Sequence, residues 1–121
     1  MPAGSRKSLG RLGEQLAAEH LERLGWRILE RNYRTRFGEL DLVAVDGDTL
    51  VFAEVKTCRV GSGEPWQSLH ERKQAQVRKL SGVWFNERRG PFFEHVRFDA
   101  IGVLVDREDG LVRLDHVENA F

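Results

Sequence analysis

The stretch LVFAEVK, residues 50–56, decides the fold of this chain because it runs from an apolar segment into an acid and a base. Successive side chains on a strand point to opposite faces, so Glu54 and Lys56 share a face with Leu50. Charges that end an apolar face are costly to desolvate unless they hold each other or a ligand. The stretch therefore predicts a buried strand that ends in either a structural ion pair or a functional site.

A second apolar run, residues 39–45, precedes this strand, and the Asp46-Gly47-Asp48 turn between them is a strong hairpin signal. In a tight antiparallel hairpin, the start of the first strand lies opposite the end of the second. Asp41 is therefore expected to converge with Glu54 and Lys56. Alternation predicts one face with Leu40, Leu42 and Ala44 and another with Glu39, Asp41, Val43 and Val45.

The rest of the 121 residues supplies two helices and three further strands. Apolar residues at i, i+3 and i+4 spacing predict an amphipathic helix over 8–24, and a second helix is expected near 69–89. The strands are predicted at 26–33, 39–45, 49–57, 96–105 and 111–117, with a short connection at 34–38. This order predicts an α/β fold, a mixed sheet with helices packed on it. We expect one domain over 1–121, with a frayed tail at 1–7.

Composition narrows the class of protein. The chain is 40% hydrophobic and 31% charged, as is ordinary for a globular domain. It has no run of about 18 apolar residues, which excludes a membrane-spanning helix, and its first residues lack the apolar stretch of a signal peptide. The single cysteine, Cys58, rules out an internal disulfide and a cysteine metal cage. We therefore expect a cytoplasmic protein with no membrane partner.

The charge is unevenly distributed although the net charge is zero. Residues 1–93 carry 16 basic and 12 acidic side chains, whereas residues 94–121 carry 3 basic and 7 acidic ones. A basic face around an acidic pocket would suit a nucleic acid. Charge alone favours the simpler interpretation, which is a mixed solvated surface.

The acids of the predicted hairpin suit metal-assisted chemistry. Mg²⁺ prefers hard oxygen ligands, and Asp41, Glu54 and the carbonyl of Val55 supply them. Lys56 would then either orient or deprotonate the attacking water, or stabilise the developing charge. Desolvation lowers a lysine pKa and neighbouring carboxylates raise it, so the sequence leaves both roles open. A structural ion pair is the simpler alternative, but an apolar strand before Glu54 and an aspartate on the paired strand favour the functional interpretation.

The same residues carry a family resemblance. Asp41 followed by Glu54-Val55-Lys56 resembles the signature of the PD-(D/E)xK nucleases. Five ordered motifs resemble the YraN-like family of small bacterial proteins: Gly13-Glu14-x-x-Ala17, Asn32-Tyr33-Arg34, Gly38-Glu39-Leu40-Asp41, Phe52-Ala53-Glu54-Val55-Lys56 and Arg97-Phe98-Asp99. The resemblance runs from about Gly10 to the last residues. That family is similar to the archaeal Holliday-junction resolvases, which implies a restriction-endonuclease-like mixed sheet flanked by helices.

The resemblance also implies roles for single residues. It makes Asp41 and Glu54 metal ligands and Lys56 the catalytic lysine. Glu14 matches the helix glutamate that completes the resolvase site, although its pattern alone does not distinguish it from Glu19. The candidate nucleic-acid contacts are Arg34, Arg36, Arg59, Lys73 and Gln74, the last because related nucleases often place a glutamine there.

Leu40 and Cys58 depart from the patterns of these families, and Asp99 belongs to the last motif. Leu40 replaces the proline of the generic motif, which leaves the ligand unchanged. Cys58 stands where many relatives carry an arginine, so either Arg59 takes over that phosphate contact or the contact is missing. We expect Asp99 to have an arginine or backbone partner and no catalytic role.

These expectations describe a Mg²⁺-dependent nuclease, with Mn²⁺ as a second usable metal, that hydrolyses DNA phosphodiester bonds in branched or repair-type DNA. The alternative is a module of the same fold that binds nucleic acid or a protein partner and turns over poorly or not at all. Zero net charge favours that alternative somewhat. The resolvase similarity further implies a homodimer, because symmetric junction cutting needs two sites.

Overall fold

A computed structural model describes residues 6–63, 65, 71–88 and 93–121. Within this part the chain forms two helices and five strands in the order expected from the sequence. The elements are α1 (Arg6–Arg23), β1 (Arg27–Thr35), β2 (Gly38–Asp46), β3 (Thr49–Arg59), α2 (Glu71–Arg88), β4 (His95–Val105) and β5 (Leu111–Val117). Neither helix is long and apolar enough to cross a membrane.

The five strands form one sheet in the spatial order β1-β2-β3-β4-β5. All neighbouring pairs are antiparallel except β3 and β4, which run parallel. A parallel pair needs a long crossover, and α2 provides it between β3 and β4. The predicted α/β class, a mixed sheet flanked by helices, is confirmed.

Each face of the sheet buries its own core, which explains why the central strands are apolar almost throughout. The α1-side core packs Ala17, Ala18 and Leu21 of α1 against inward residues of the sheet such as Leu42 and Val51. The α2-side core packs Val77, Leu80 and Trp84 of α2 against Leu40, Val43, Leu50 and Phe52. The two helices are thereby fixed on opposite faces of the same central strands.

Several element boundaries differ from the predicted ones. Helix α1 begins at Arg6 and not at residue 8, while residues 1–5 of the predicted tail lie outside the described residues. Strand β1 continues through Thr35, so the predicted connection at 34–38 shrinks to a turn at Arg36 and Phe37. Strand β3 extends through Arg59, two residues further than expected.

One predicted strand face is wrong. Leu40 packs in the α2-side core, whereas Leu42 and Ala44 pack in the α1-side core. Regular alternation is interrupted at Asp41. The ladder between β2 and β3 ends at the neighbouring residue, Leu42, which pairs with Ala53. The cause is local, because Asp41 offers its side chain to β3 as a hydrogen-bond acceptor at this point.

Candidate active site

The candidate site lies where β2 and β3 separate and α1 crosses the end of β3. Gly13 allows this close crossing, because a Cβ atom there would lie 1.6 Å from Oγ1 of Thr57. A residue with any side chain would push α1 away from the sheet. The glycine thus brings the next residue, Glu14, down to the level of Asp41.

Asp41 occupies the fork between the two strands. Its Oδ2 atom accepts a hydrogen bond of 2.8 Å from the backbone N–H of Val55. The register between β2 and β3 runs only as far as Leu42 paired with Ala53, so this bond continues the pairing through a side chain. The carboxylate is fixed beside β3, next to Glu54.

Glu54 is the most buried acid of the cluster, with a relative exposure of 7%. Its Oε1 atom lies 3.1 Å from Nζ of Lys73, which reaches it from α2. Its Oε2 atom is buried and has no hydrogen-bond partner among the described residues. A buried carboxylate oxygen without a donor is costly, and such an atom calls for an explanation such as an ion or a proton.

The side chains of Glu14, Glu39 and Asn32 complete the cluster around Asp41. Oxygen atoms of Glu14, Glu39 and Asp41 lie within 4.8 Å of one another, and all three side chains are half-buried. With its amide nitrogen turned toward them, Asn32 donates to Glu39 at 2.6 Å and to the two oxygens of Glu14 at 2.7 and 2.9 Å. Asn32 has a φ of 53°, a left-handed conformation that asparagine tolerates better than most residues.

The electrostatics of this cluster favour an added positive charge. Burial, followed by repulsion from Asp41, raises the pKa of Glu54 to about 8 and that of Glu14 also to about 8. Burial alone would lower the pKa of Lys73, but attraction to Glu54 outweighs it and raises the pKa above its ordinary value. Lys73 therefore stays protonated, and it neutralises only part of the negative charge that the site would carry once both glutamates are ionised, above about pH 8.

Comparison with known protein families matches residues 13–103 to the uncharacterised protein family UPF0102. The chain belongs to the UPF0102 family. A UPF0102 protein of Acidothermus cellulolyticus is 46% identical over 129 residues, covering 98% of this chain and 97% of the relative. One of Pelotomaculum thermopropionicum is 49% identical, covering 98% and 99%, and one of Geobacter sulfurreducens is 45% identical, covering 100% and 97%. The predicted membership of the YraN-like family is confirmed, since UPF0102 is that family.

The stretch matched to UPF0102 contains all four predicted catalytic residues, and the structure brings three of them together. At the fork Asp41 interacts with both Glu14 and Glu54. Lys56 is exposed and forms no ion pair with any residue in the described part of the chain. The cation beside Glu54 is Lys73, which the sequence suggested only as a nucleic-acid contact.

The N–H and the side chain of Val55, a predicted metal ligand, are both engaged within the protein. Its N–H is bound to Asp41, and its side chain is buried in the α1-side core. Its carbonyl stays a predicted ligand.

The predicted nucleic-acid contacts other than Lys73 differ in their exposure and in whether other residues already bind them. Arg34 is exposed and lies 3.3 Å from Oε2 of Glu39, at the edge of the cluster. Arg59 donates to the carbonyl of Asp106 at 2.7 Å and to Oδ1 of Asp109 at 2.9 Å, so the turn between β4 and β5 already holds its guanidinium. Arg36 is exposed in the turn between β1 and β2, and Gln74 is half-buried on α2.

Sequence reasoning missed two positions of the site. Asn32 belongs to one of the YraN-like motifs, but the sequence did not predict that it bridges Glu14 and Glu39. An asparagine inside a strand pattern is disfavoured, and that was the available signal. The pairing of Lys73 with Glu54 had no local signal, because the two residues belong to different elements on either side of the 60–70 connection.

Proposed function

We propose that this UPF0102 protein is a metal-dependent nuclease that hydrolyses phosphodiester bonds in DNA. The observation that carries the proposal is that Asp41 of β2 interacts with both Glu14 of α1 and Glu54 of β3, while the buried Oε2 atom of Glu54 has no hydrogen-bond partner among the described residues. Acids that only stabilise a fold are normally satisfied by donors. Acids left short of donors and crowded together are suited to a cation.

The donor set fits Mg²⁺, with Mn²⁺ as an alternative. All of the oxygens are hard carboxylate ligands, and Mg²⁺ characteristically takes one or two carboxylates and keeps several waters. Asp41 and Glu54 would hold the ion, and Glu14 would hold one of its waters or bind it directly. When bound, the ion would polarise the phosphoryl oxygen and lower the pKa of a bound water.

The residues of the chain supply orientation and charge. Hydrolysis joins the oxygen of a water to phosphorus and breaks one P–O ester bond, and the leaving oxygen takes up a proton. Lys73 holds the Oε1 side of Glu54 and so leaves Oε2 directed at the cluster. Lys56, free of ion pairs in the described part of the chain, would meet the phosphate and stabilise the charge that develops on it.

The substrate class, assembly and location proposed here rest on the resolvase resemblance. Branched or repair-type DNA is the substrate that it implies, and a homodimer would place two sites across a junction. A cytoplasmic location agrees with a substrate of chromosomal DNA.

A non-catalytic module is the second candidate, and it is favoured because Lys73, and not the predicted catalytic Lys56, is the cation that contacts Glu54. In this case the fold would bind nucleic acid or a protein partner without turning over. Zero net charge also weakens the case for a strong electrostatic grip on DNA.

Cleavage of labelled DNA distinguishes the two candidates. Linear, single-stranded, flap and four-way-junction substrates would be incubated with Mg²⁺, with Mn²⁺ and with EDTA. We expect metal-dependent cutting that Lys56→Ala and Glu54→Gln each reduce by at least about a hundredfold, while Arg107→Ala and Glu108→Gln, exposed residues of the β4–β5 turn, cut like the wild type. Junction retardation without cutting would favour the module.

A further inference from the structure

The turn between β1 and β2 presents an aromatic ring between two cations. The Phe37 side chain is 44% exposed. The guanidinium carbon of Arg36 lies 4.9 Å from its ring centroid, and Nζ of Lys79 on α2 lies 4.6 Å from it. Neither cation has an acidic partner in the described part of the chain, so this patch is positive as well as aromatic.

Hydrogen bonds between side chains and the backbone fix the turn that carries the Phe37 ring. The N–H of Phe37 donates to Oγ1 of Thr35 at 3.0 Å, and that hydroxyl donates to the carbonyl of Gly38 at 3.1 Å. Gln76 of α2 donates to the Phe37 carbonyl at 2.9 Å. Gly38 has a φ of 139°, and a Cβ atom on it would lie 2.5 Å from the Gln76 amide. A glycine is therefore needed for the turn to dock on α2.

A second exposed phenylalanine, Phe85 on α2, has a different setting. Phe85 is 41% exposed, but its ring packs edge-on against Phe52 and Trp84. It extends the α2-side core. Phe37 is not among the residues of either core, and within the described part of the chain its ring contacts are with cations.

The patch continues from the candidate site along one ridge of α2. Lys73, Gln76 and Lys79 follow each other at three-residue spacing, which places them on a single row of side chains that winds along the helix. Lys73 contacts Glu54 and Lys79 contacts the Phe37 ring. Six residues of helix span about 9 Å. That is two to three nucleotides at the duplex spacing of about 3.4 Å per nucleotide, and fewer in an extended single strand.

We propose that the exposed part of the Phe37 ring stacks on an unpaired nucleobase within about three nucleotides of the phosphate that lies at the candidate site. Arg36 and Lys79, which lie over the ring in the free protein, turn outward to contact the phosphates that flank this base. Aromatic faces recognise bases in single strands without regard to sequence, whereas the bases of an intact duplex present no free face. The preferred substrate is therefore DNA that is single-stranded beside the cut, such as a flap, a frayed end or an open junction. This inference rests on the nucleic-acid part of the proposed function.

Binding of a fluorescent oligothymidylate in EDTA tests the ring, because no cutting is required. We expect Phe37→Leu to weaken binding about tenfold, from the loss of one stacked base, and Phe37→Trp to restore it. Val112→Ala, at an exposed apolar residue of β5, is the matched control and should bind like the wild type. Binding to a blunt duplex should be weaker and insensitive to Phe37→Leu.

The cations are tested by salt dependence. Arg36→Ala combined with Lys79→Ala should lower the slope of log K against log[salt] by about 1.4, from two lost contacts to a single strand. Arg107→Ala should leave the slope unchanged. Heparin, a polyanion without bases, should bind independently of Phe37. If Phe37→Leu weakens heparin and oligonucleotide equally, the ring does not stack on bases and the inference is wrong.

The binding and cleavage assays test the stacking site and the nuclease activity independently. Phe37-dependent binding without any metal-dependent cutting would support the stacking site and refute the nuclease. Cutting that persists with Phe37→Leu binding like the wild type would support the nuclease and overturn the stacking site. A wild-type protein that binds no oligonucleotide would overturn the stacking site, and the cleavage assay would judge the nuclease separately.

Discussion

Two buried acids stand almost side by side in the sheet, yet their environments are opposite. Asp99 of β4 pairs in register with Ala53, the residue before Glu54 on β3. Asp99 has a relative exposure of 0% and Glu54 of 7%. Asp99 lies on the α1 side, beside His116, whereas Glu54 points to Lys73 on the α2 side.

The difference lies in the number of donors. Asp99 accepts from Arg97 at 2.8 and 3.0 Å, from His116 at 2.8 Å and from the N–H of Asn119 at 3.0 Å. Burial alone would raise the pKa of Asp99, but these hydrogen bonds outweigh it and lower the pKa below its ordinary value. Glu54 has one cation and an oxygen without a partner in the described part of the chain, and its pKa rises to about 8.

The contrast between Asp99 and Glu54 therefore shows that burial of a charge does not by itself mark a functional site. A satisfied acid joins strands and termini, as Asp99 joins β4, β5 and the segment at Asn119. An under-satisfied acid lowers the stability of the free protein, and a ligand that neutralises it recovers that stability.

The largest expected effect comes from Asp99→Asn. Loss of the charge leaves Arg97 and the polar groups around it without their counter-ion, which should lower the free energy of unfolding by about 3 kcal/mol. Urea denaturation at neutral pH measures the change, with Asp48→Asn at the exposed β2–β3 turn as the control. A loss below about 1 kcal/mol would mean that Asp99 and Glu54 are not energetically different.

Metal-linked stability should come next in size. Because the folded-state pKa values of Glu14 and Glu54 are raised to about 8, the stability of the metal-free protein should fall as the pH rises from about 4.5 to about 8. Mg²⁺ should restore about 2.7 kcal/mol at a hundredfold excess over its dissociation constant.

Thermal unfolding at about pH 8 and about pH 5, with MgCl₂ and with NaCl of equal ionic strength, checks this dependence. The stabilisation should be larger at the higher pH, since protons compete with the metal at the lower one. Equal shifts with the two salts would refute a specific metal site.

The order of elements could be predicted from local patterns. The hairpin signal at Asp46-Gly47-Asp48 and the apolar periodicities depend on neighbouring residues only, and β5 begins and ends where expected. The prediction that Asp99 has an arginine or backbone partner is also confirmed, because Arg97 is two residues away on the same strand face. These features are short-range, so the sequence contains them directly.

The details of the candidate site could not be predicted in the same way. Glu54 and Lys56 look like a pair because they share a strand face. However, α2 packs on that same face and brings Lys73 to Glu54. The face of Leu40 was predicted wrongly, because Asp41 replaces a ladder bond with a side-chain bond and breaks the alternation. Both outcomes depend on how distant elements meet, which periodicity does not encode.

Glu54→Gln should have the smallest effect on stability, and an effect of opposite sign to that of Asp99→Asn. Below about pH 4.5 Glu54 is neutral, so the variant and the wild type should be equally stable. As the pH rises to about 8 the wild type must ionise a buried carboxyl, so the variant should become more stable. The gain should be only about 1 kcal/mol, because the substitution also leaves Lys73 without its charge partner.

Urea denaturation across this pH range, without metal, measures the difference. A loss of stability in Glu54→Gln at every pH would show that the Lys73 pair is a structural ion pair like that of Asp99. A gain that grows with pH, together with loss of the Mg²⁺ effect, would mean that this acid is kept at the fork for a ligand and at a cost to the free protein.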